Sequence, residues 1–119
     1  MPRHITGPTR IAVPGDPPKQ IDELVGRVNS NTGDVSIARM VAPPGWEEPA
    51  QTPTFDEYTI VLRRLVRVEH DGGVVDVRAG AAIVTHAGER VRYSTPDEGA
   101  EYIAVCMPAF SPAAANRDG

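Results

Sequence analysis

Hydrophobic and polar residues alternate along short segments of the chain, and prolines and glycines separate these segments. The segments are rich in β-branched residues and cover the ranges 35–41, 58–70, 74–79, 81–85, 90–94 and 101–107. Alternation with a period of two is typical of half-buried strands, and short strands at intervals of about 8–12 residues are typical of a sandwich or barrel. The pattern therefore predicts an all-β protein without long helices.

A hairpin is the clearest local element. Val66 and Val68 alternate with Arg67 and Glu69, and the turn 71–73 has the sequence Asp-Gly-Gly. Glycine readily adopts the positive φ angles that a tight hairpin turn requires. We expect a second reversal of the same kind at 95–101, between the segments "RVRYS" and "EYIAVCM".

The chain is long enough for one hydrophobic core, and we expect a single domain over residues 1–119. Its core covers about 30–112. Residues 1–29 form an N-terminal extension with one or more strands, because turn residues flank the apolar positions of 19–30. The tail, 113–119, has little to bury and is expected to dock loosely.

Charge and composition limit the kinds of partner and the cellular location that we expect for the chain. The net charge is −4 and the arginines are spread along the chain, so the basic stripe that a phosphate backbone requires is absent and we expect no nucleic-acid partner. No apolar run reaches the roughly 18–20 residues of a membrane span, and the N-terminus lacks an apolar signal region, so we expect a cytoplasmic protein without membrane contact. Cys106, the only cysteine, cannot form an internal disulfide and is expected to be a buried thiol.

Two stretches anchored by glycine have the spacing of a known pair of motifs. In the first stretch, the positions at this spacing are Gly45, Gln51, Pro53, Glu57 and Arg64. In the second stretch, they are Gly80, His86, Gly88, Val91 and Thr95. With the hairpin between them and the closing "AVCMPAFSP", they resemble the two motifs of the small single-domain cupins. The resemblance implies a cupin-like jelly-roll β-barrel, also called a double-stranded β-helix.

The residues at the metal-ligand positions of these motifs depart from the family. Cupins usually have two histidines and a glutamate in the first motif and a histidine in the second, and here only Glu57 keeps the expected type. Proline and valine side chains cannot coordinate a metal. The resemblance therefore implies a cupin without a metal or other cofactor. The alternative is one divalent transition metal held by Gln51, Glu57 and His86, in a metal-dependent oxygenase or isomerase.

Glu57 is expected to lie in an apolar barrel interior, where burial raises the pKa of a carboxylate unless a cation such as Arg39, Arg90 or Arg92 reaches it. A carboxylate with a raised pKa can act as a general base. The candidate catalytic residues are Glu57, Gln51, Tyr93 and His86. The candidate substrate-binding residues are Trp46, Phe55, Met40, Val91 and Thr59.

These residues predict a metal-free cupin that binds or transforms a small organic molecule in its barrel, as a lyase or isomerase if it is an enzyme. The alternative to an enzyme is a non-catalytic module that binds a small molecule. We expect a homodimer, because free edge strands invite pairing. Arg64 stands where the family has a turn glycine, which would strain the backbone at positive φ and leaves an engineered variant open.

Overall fold

Antiparallel strands are the main regular elements of the computed structural model, which describes residues 1–13 and 17–118. The elements are β1 (Thr9–Ile11), β2 (Gln20–Val25), β3 (Ser36–Ala42), β4 (Trp46–Glu47), β5 (Asp56–His70), β6 (Gly73–Arg78), β7 (Ala82–Thr85), β8 (Val91–Thr95), β9 (Ala100–Met107) and the short helix α1 (Pro112–Ala115). The all-β prediction is confirmed, and so is the strand within 19–30.

The 15-residue strand β5 organises the fold because it belongs to two sheets. Its first half pairs with β7 on one side and β9 on the other, and its second half pairs with β6 and β8. The register shifts between Val61 and Arg63, and Arg64 has a φ of 66°. A bulge of this kind bends a strand and increases its twist. The bend curls the strand order β1-β2-β3-β9-β5-β8-β4 into a half-barrel.

The two predicted turns have different outcomes. The hairpin is confirmed, since β5 and β6 pair in register down to His70 opposite Gly73. The prediction of a reversal at 95–101 is wrong. Both β8 and β9 run antiparallel to β5 along the same side of it, so the chain keeps its direction from one to the other. The residues between them form a bulging loop opposite the bend in β5 rather than a hairpin turn.

The core has two parts. The larger part fills the concave side of the half-barrel and is formed by Ala42, Trp46, Val61, Val66, Val68, Val77, Val91, Tyr93, Ala100 and Tyr102. Val61, Val66 and Val68 project inward from either side of the bend in β5, and the shift in register at the bend lets both halves face the same interior.

The smaller part of the core joins the C-terminal segment to the barrel. Phe55 and Phe110 make an edge-to-face contact at 5.9 Å between ring centroids, and Ala115 is fully buried beside them. Ser111 caps α1 by accepting a hydrogen bond from the backbone of Ala114. The expectation of a loosely docked tail is therefore wrong, because small apolar side chains fill a gap beside Phe55.

Candidate functional site

A cavity of about 50 Å³ lies on the concave face of the half-barrel. Side chains from β1, β2, β3, β5, β8 and β9 line it, together with the segments before β2, after β4 and after β9. The polar residues that line it are Lys19, Glu23, Ser36, Glu48, Gln51, Glu57, Tyr93, Tyr102 and Arg117. This volume holds a few water molecules, whereas pockets for small organic ligands are typically about 300–1,000 Å³.

Lys19, the only lysine of the chain, points into this cavity with 8% of its side chain exposed. Its Nζ donates a hydrogen bond of 3.0 Å to the Tyr102 hydroxyl and lies 4.2 Å from the centroid of the Trp46 ring. Burial lowers the pKa of Lys19, and the charges of Glu48 and Glu57 oppose that effect. The amine thus contacts a phenol and the face of an aromatic ring, and the charges of Glu48 and Glu57 attract it.

Glu48 links this lysine to the C-terminal segment. Its Oε2 lies 4.0 Å from Lys19 Nζ and 3.8 Å from Arg117 Nη2. Burial raises the pKa of Glu48, while the two cations act in the opposite direction. The arrangement is a buried ion network that joins the segments before β2, after β4 and after α1.

Glu57 lies on the inner face of β5 with 8% of its area exposed. Burial, reinforced by the charge of Glu48, raises its pKa to about 7, although Lys19 pulls it downward. The Thr59 hydroxyl donates a hydrogen bond of 3.4 Å to its Oε2. The expected effect of burial is therefore present, and the cation that moderates it is Lys19.

The arginines considered as partners for Glu57 lie elsewhere. Arg39 pairs with Glu101, Arg90 with Asp118, and Arg92 with Glu69 and Glu47, all at the surface. Arg39 on β3 and Arg92 on β8 occupy outward positions of the alternation, and Arg90, just before β8, is exposed, so none of the three faces the cavity.

Two other predicted catalytic residues line the cavity. Gln51 forms a β-bridge with Val91, and its Oε1 is buried with no hydrogen-bond partner among the described residues. The Tyr93 hydroxyl lies 3.0 Å from Thr85 Oγ1, and burial raises the pKa of Tyr93 well above its ordinary value. Met40 also contacts this cavity, so the structure brings Gln51, Glu57, Tyr93 and Met40 together.

The structure places the remaining predicted residues outside the cavity lining. Trp46 lies beneath Lys19 in the larger core, with Val91 buried in the same cluster. Thr59 is buried on β5, and Phe55 belongs to the smaller core.

His86 does not line the cavity, in contrast to the expectation that it is a catalytic residue or a metal ligand. Its side chain is 69% exposed on the β7–β8 loop, with Nδ1 3.9 Å from Asp56 Oδ1. The alternative metal set of Gln51, Glu57 and His86 is therefore not assembled. Within residues 1–13 and 17–118, no group of three or more His, Cys, Asp or Glu side chains is placed to hold a metal ion.

Sequence reasoning missed Lys19, Glu48, Tyr102 and Arg117, which all line the cavity. Lys19 carried a usable signal, because a single lysine in a chain with eleven arginines is unusual. Arginine is the commoner choice for surface pairs in this chain, so the exceptional lysine marks an exceptional position.

Comparisons with known proteins identify structures of similar fold and one curated sequence relative. No protein-family model matches the chain. A variant of oxalate decarboxylase from Bacillus subtilis superposes with a TM-score of 0.76 at 18% identity, over 95% of this chain and 31% of that one. A putative ethanolamine utilization protein Q from Salmonella typhimurium has a TM-score of 0.68 at 18% identity, over 87% of this chain and 97% of that one. The EutQ protein of Clostridium difficile has a TM-score of 0.65 at 23% identity, over 77% of this chain and 64% of that one.

A curated sequence relative points in a different functional direction. The chain is 42% identical over 107 residues to a Myxococcus xanthus protein named Endoribonuclease YbeY. The match covers 89% of this chain, and the chain spans 36% of the length of that relative.

The structural likenesses confirm the predicted cupin fold. The relative contradicts the predicted function, because its name is that of a ribonuclease and not of a small-molecule cupin. The prediction of a metal-free barrel in which Glu57 acts as general base on a small molecule is therefore wrong. The oxygenase and binding-module alternatives are contradicted by the same relative. The expectation of no nucleic-acid partner is wrong for the same reason.

No helix in the described part of the chain is long and apolar enough to cross a membrane.

Proposed function

We propose that this chain takes part in RNA processing, as a cupin-fold module that works together with the cleaving part of an endoribonuclease. The observation that carries the proposal is the 42% identity to a protein named as an endoribonuclease, over 89% of this chain. The matched segment is about a third of that relative, so there it shares one polypeptide with a larger remainder. RNA is then the substrate of the joint activity, and a cytoplasmic location follows from it.

The geometry of the cavity supports a role for the module other than the cleavage step. A general base for RNA cleavage must come within hydrogen-bond reach of the attacking hydroxyl. Glu57 lies 8% exposed in a cavity of about 50 Å³, which is too small to admit a ribose. We therefore assign bond cleavage to the part of the assembly that corresponds to the rest of the relative.

The buried network has a structural role in this proposal. Lys19, Glu48 and Arg117 connect three segments that are distant in sequence and that line the cavity of the half-barrel. Breaking one member of a buried ion network leaves uncompensated charge and destabilises the fold. The network thus keeps the module in one conformation while its outer surfaces are used for contacts.

A chimera tests the proposal. The matched segment of the Myxococcus xanthus enzyme is replaced by this chain, and cleavage of a labelled RNA is compared with that of the natural enzyme. We expect the chimera to cleave RNA, and we expect the same from a chimera that carries Glu57→Gln. This chain on its own should leave the RNA intact.

Two results would contradict the proposal. One is a folded chimera, verified by circular dichroism, that has lost RNA cleavage. The other is cleavage by this chain alone that disappears in Glu57→Gln, which would move the chemistry into the barrel.

A further inference from the structure

A second hollow, of about 500 Å³, lies between the tip of the β5–β6 hairpin and the loop that joins β7 to β8. None of the described residues that line it also lines the cavity around Lys19. Thr85 lines the second hollow, Tyr93 lines the cavity, and their hydroxyl oxygens are 3.0 Å apart. The volume of the second hollow falls within the range of about 300–1,000 Å³ that ligand pockets have, so it has room for a ring system.

The second hollow has an apolar floor and a polar rim. Val68 and Val91 of the floor are buried, and Ile83 beside them is half-buried. The rim consists of four exposed side chains that can form hydrogen bonds, namely His70, Asp71, Glu89 and Arg90. An apolar floor below a few polar groups suits a ligand that has flat apolar faces and polar edges.

The charges on the rim indicate that this ligand is not a phosphate group. Arg90 forms an ion pair with Asp118, so its charge already has a partner. Asp71 and Glu89 add two carboxylates to the same rim. Sites for phosphate groups need an excess of positive charge, whereas a nucleobase is uncharged. The rim therefore favours the base of a nucleotide over its phosphate.

The hydrogen-bonding groups on the rim match one base better than the others. The backbone N–H of Gly72 donates a hydrogen bond of 3.1 Å to Nδ1 of His70. The neutral imidazole then carries its proton on Nε2 and is a donor there, while the carboxylate of Asp71 is an acceptor only. Guanine has an acceptor, O6, beside two donors, N1–H and N2–H, on its Watson–Crick edge. Adenine has these groups in the reverse order, with a donor at N6 and an acceptor at N1.

We propose that the second hollow binds an unpaired guanine of the RNA. Nε2 of His70 donates to O6, and the carboxylate of Asp71 accepts from N1 and N2. This inference rests on the proposed function, which supplies RNA as the substrate. The base must be unpaired because its Watson–Crick edge is used, as is common in sequence-specific recognition of RNA.

An adjoining hollow has room for the sugar that carries the base. Its volume is about 320 Å³, and four of its lining residues also line the second hollow, namely His70, Asp71, Arg90 and Val91. A nucleotide can therefore place its base in the second hollow and its ribose in the adjoining one.

Fluorescence anisotropy of labelled RNA with the full chain tests this inference. The RNA is a nine-nucleotide strand of adenines with one guanine in the middle. Replacing this guanine by adenine or by an abasic site should weaken binding about fivefold or more, because the paired contacts to the base are lost. Inosine lacks the N2 amine and should weaken binding about fivefold, whereas 7-deazaguanine keeps the Watson–Crick edge and should bind like guanine.

Variants of the rim test the same contacts from the side of the protein. His70→Ala and Asp71→Asn should each weaken binding of the guanine RNA about fivefold and leave binding of the all-adenine RNA unchanged. His4→Ala and Asp34→Asn are the matched controls, since both residues are exposed and do not line the second hollow. Circular dichroism shows whether each variant is folded, and the modified RNAs test the wild type without any substitution.

Equal binding of the guanine RNA and the abasic RNA would overturn the inference, because the chain would then contact the backbone alone. Absence of binding, or wild-type affinity in a folded Asp71→Asn, would overturn it as well. These results would leave the chimera's RNA cleavage as predicted. A folded chimera without cleavage would contradict the proposed function whether or not the chain distinguishes guanine from adenine.

Discussion

The buried carboxyl group of Glu57 makes the stability of the fold depend on pH in a direction opposite to that of a salt-bridged carboxylate. Its pKa is about 7 in the fold and 4.5 for an ordinary glutamate. The fold favours the protonated form of Glu57. The contribution of this residue to the free energy of unfolding is therefore complete below about pH 4.5 and is lost as the pH rises through about 7. At about 1.4 kcal/mol per pKa unit, ionising Glu57 in the fold costs about 3 kcal/mol.

Glu57→Gln keeps the shape of the side chain and removes its ionisation. We therefore expect the variant to be more stable than the wild type by about 3 kcal/mol at about pH 8, with the difference shrinking toward zero near pH 4.5. The assay is urea unfolding of both proteins across this pH range, followed by tryptophan fluorescence of Trp46. Glu47→Gln removes a carboxylate that is 61% exposed and is the matched control, expected to change stability by less than about 0.5 kcal/mol.

Two results would refute this reasoning. A difference between Glu57→Gln and the wild type that does not change with pH would mean that Glu57 is solvated in solution. A variant that is less stable than the wild type at about pH 8, with the loss disappearing as the pH falls, would mean that the carboxylate is stabilised by Lys19 more than it is destabilised by burial.

Three further substitutions probe other parts of the fold by the same unfolding assay. Lys19→Met should destabilise the protein by about 3 kcal/mol at neutral pH and by less in acid, where the carboxyl group of Glu48 is neutral; an equal loss at every pH would contradict the ion network. Arg64→Gly should stabilise by about 0.5–1 kcal/mol, because φ is 66° there and the ion pair it loses with Glu98 is exposed; a loss of stability would show that this pair outweighs the strain. Gly99→Ala should destabilise by about 2 kcal/mol or more, since φ is 77° and an added Cβ would collide with the backbone oxygen of Ala42, and an unchanged midpoint would argue against that close approach.

Features set by neighbouring residues were predictable from the sequence. The hairpin at 71–73 follows from its turn glycines and the alternation on either side, and Glu57 and Thr59 face inward as alternation requires. The positive φ of Arg64 followed from the glycine position that it occupies in the family motif.

Features set by distant residues were not predictable in this way. Lys19 becomes an interior residue only because the curl of the sheet brings the segment before β2 over Trp46. His86 faces outward because its loop is fixed by a hydrogen bond from Gly88 to Pro53 and by the carboxylate of Glu89. Neither contact can be read from local propensity.

The proposed function rests on the identity to a relative and not on the site, since a buried ion network in a small cavity has no chemistry specific to RNA. Mapping of RNA 5′ ends by sequencing, in cells with and without the gene for this chain, tests the central claim most directly. Participation in RNA processing predicts that specific processed ends diminish in cells lacking the chain, and that the wild type and Glu57→Gln both restore them. Identical RNA ends in both strains would contradict the assignment to RNA processing.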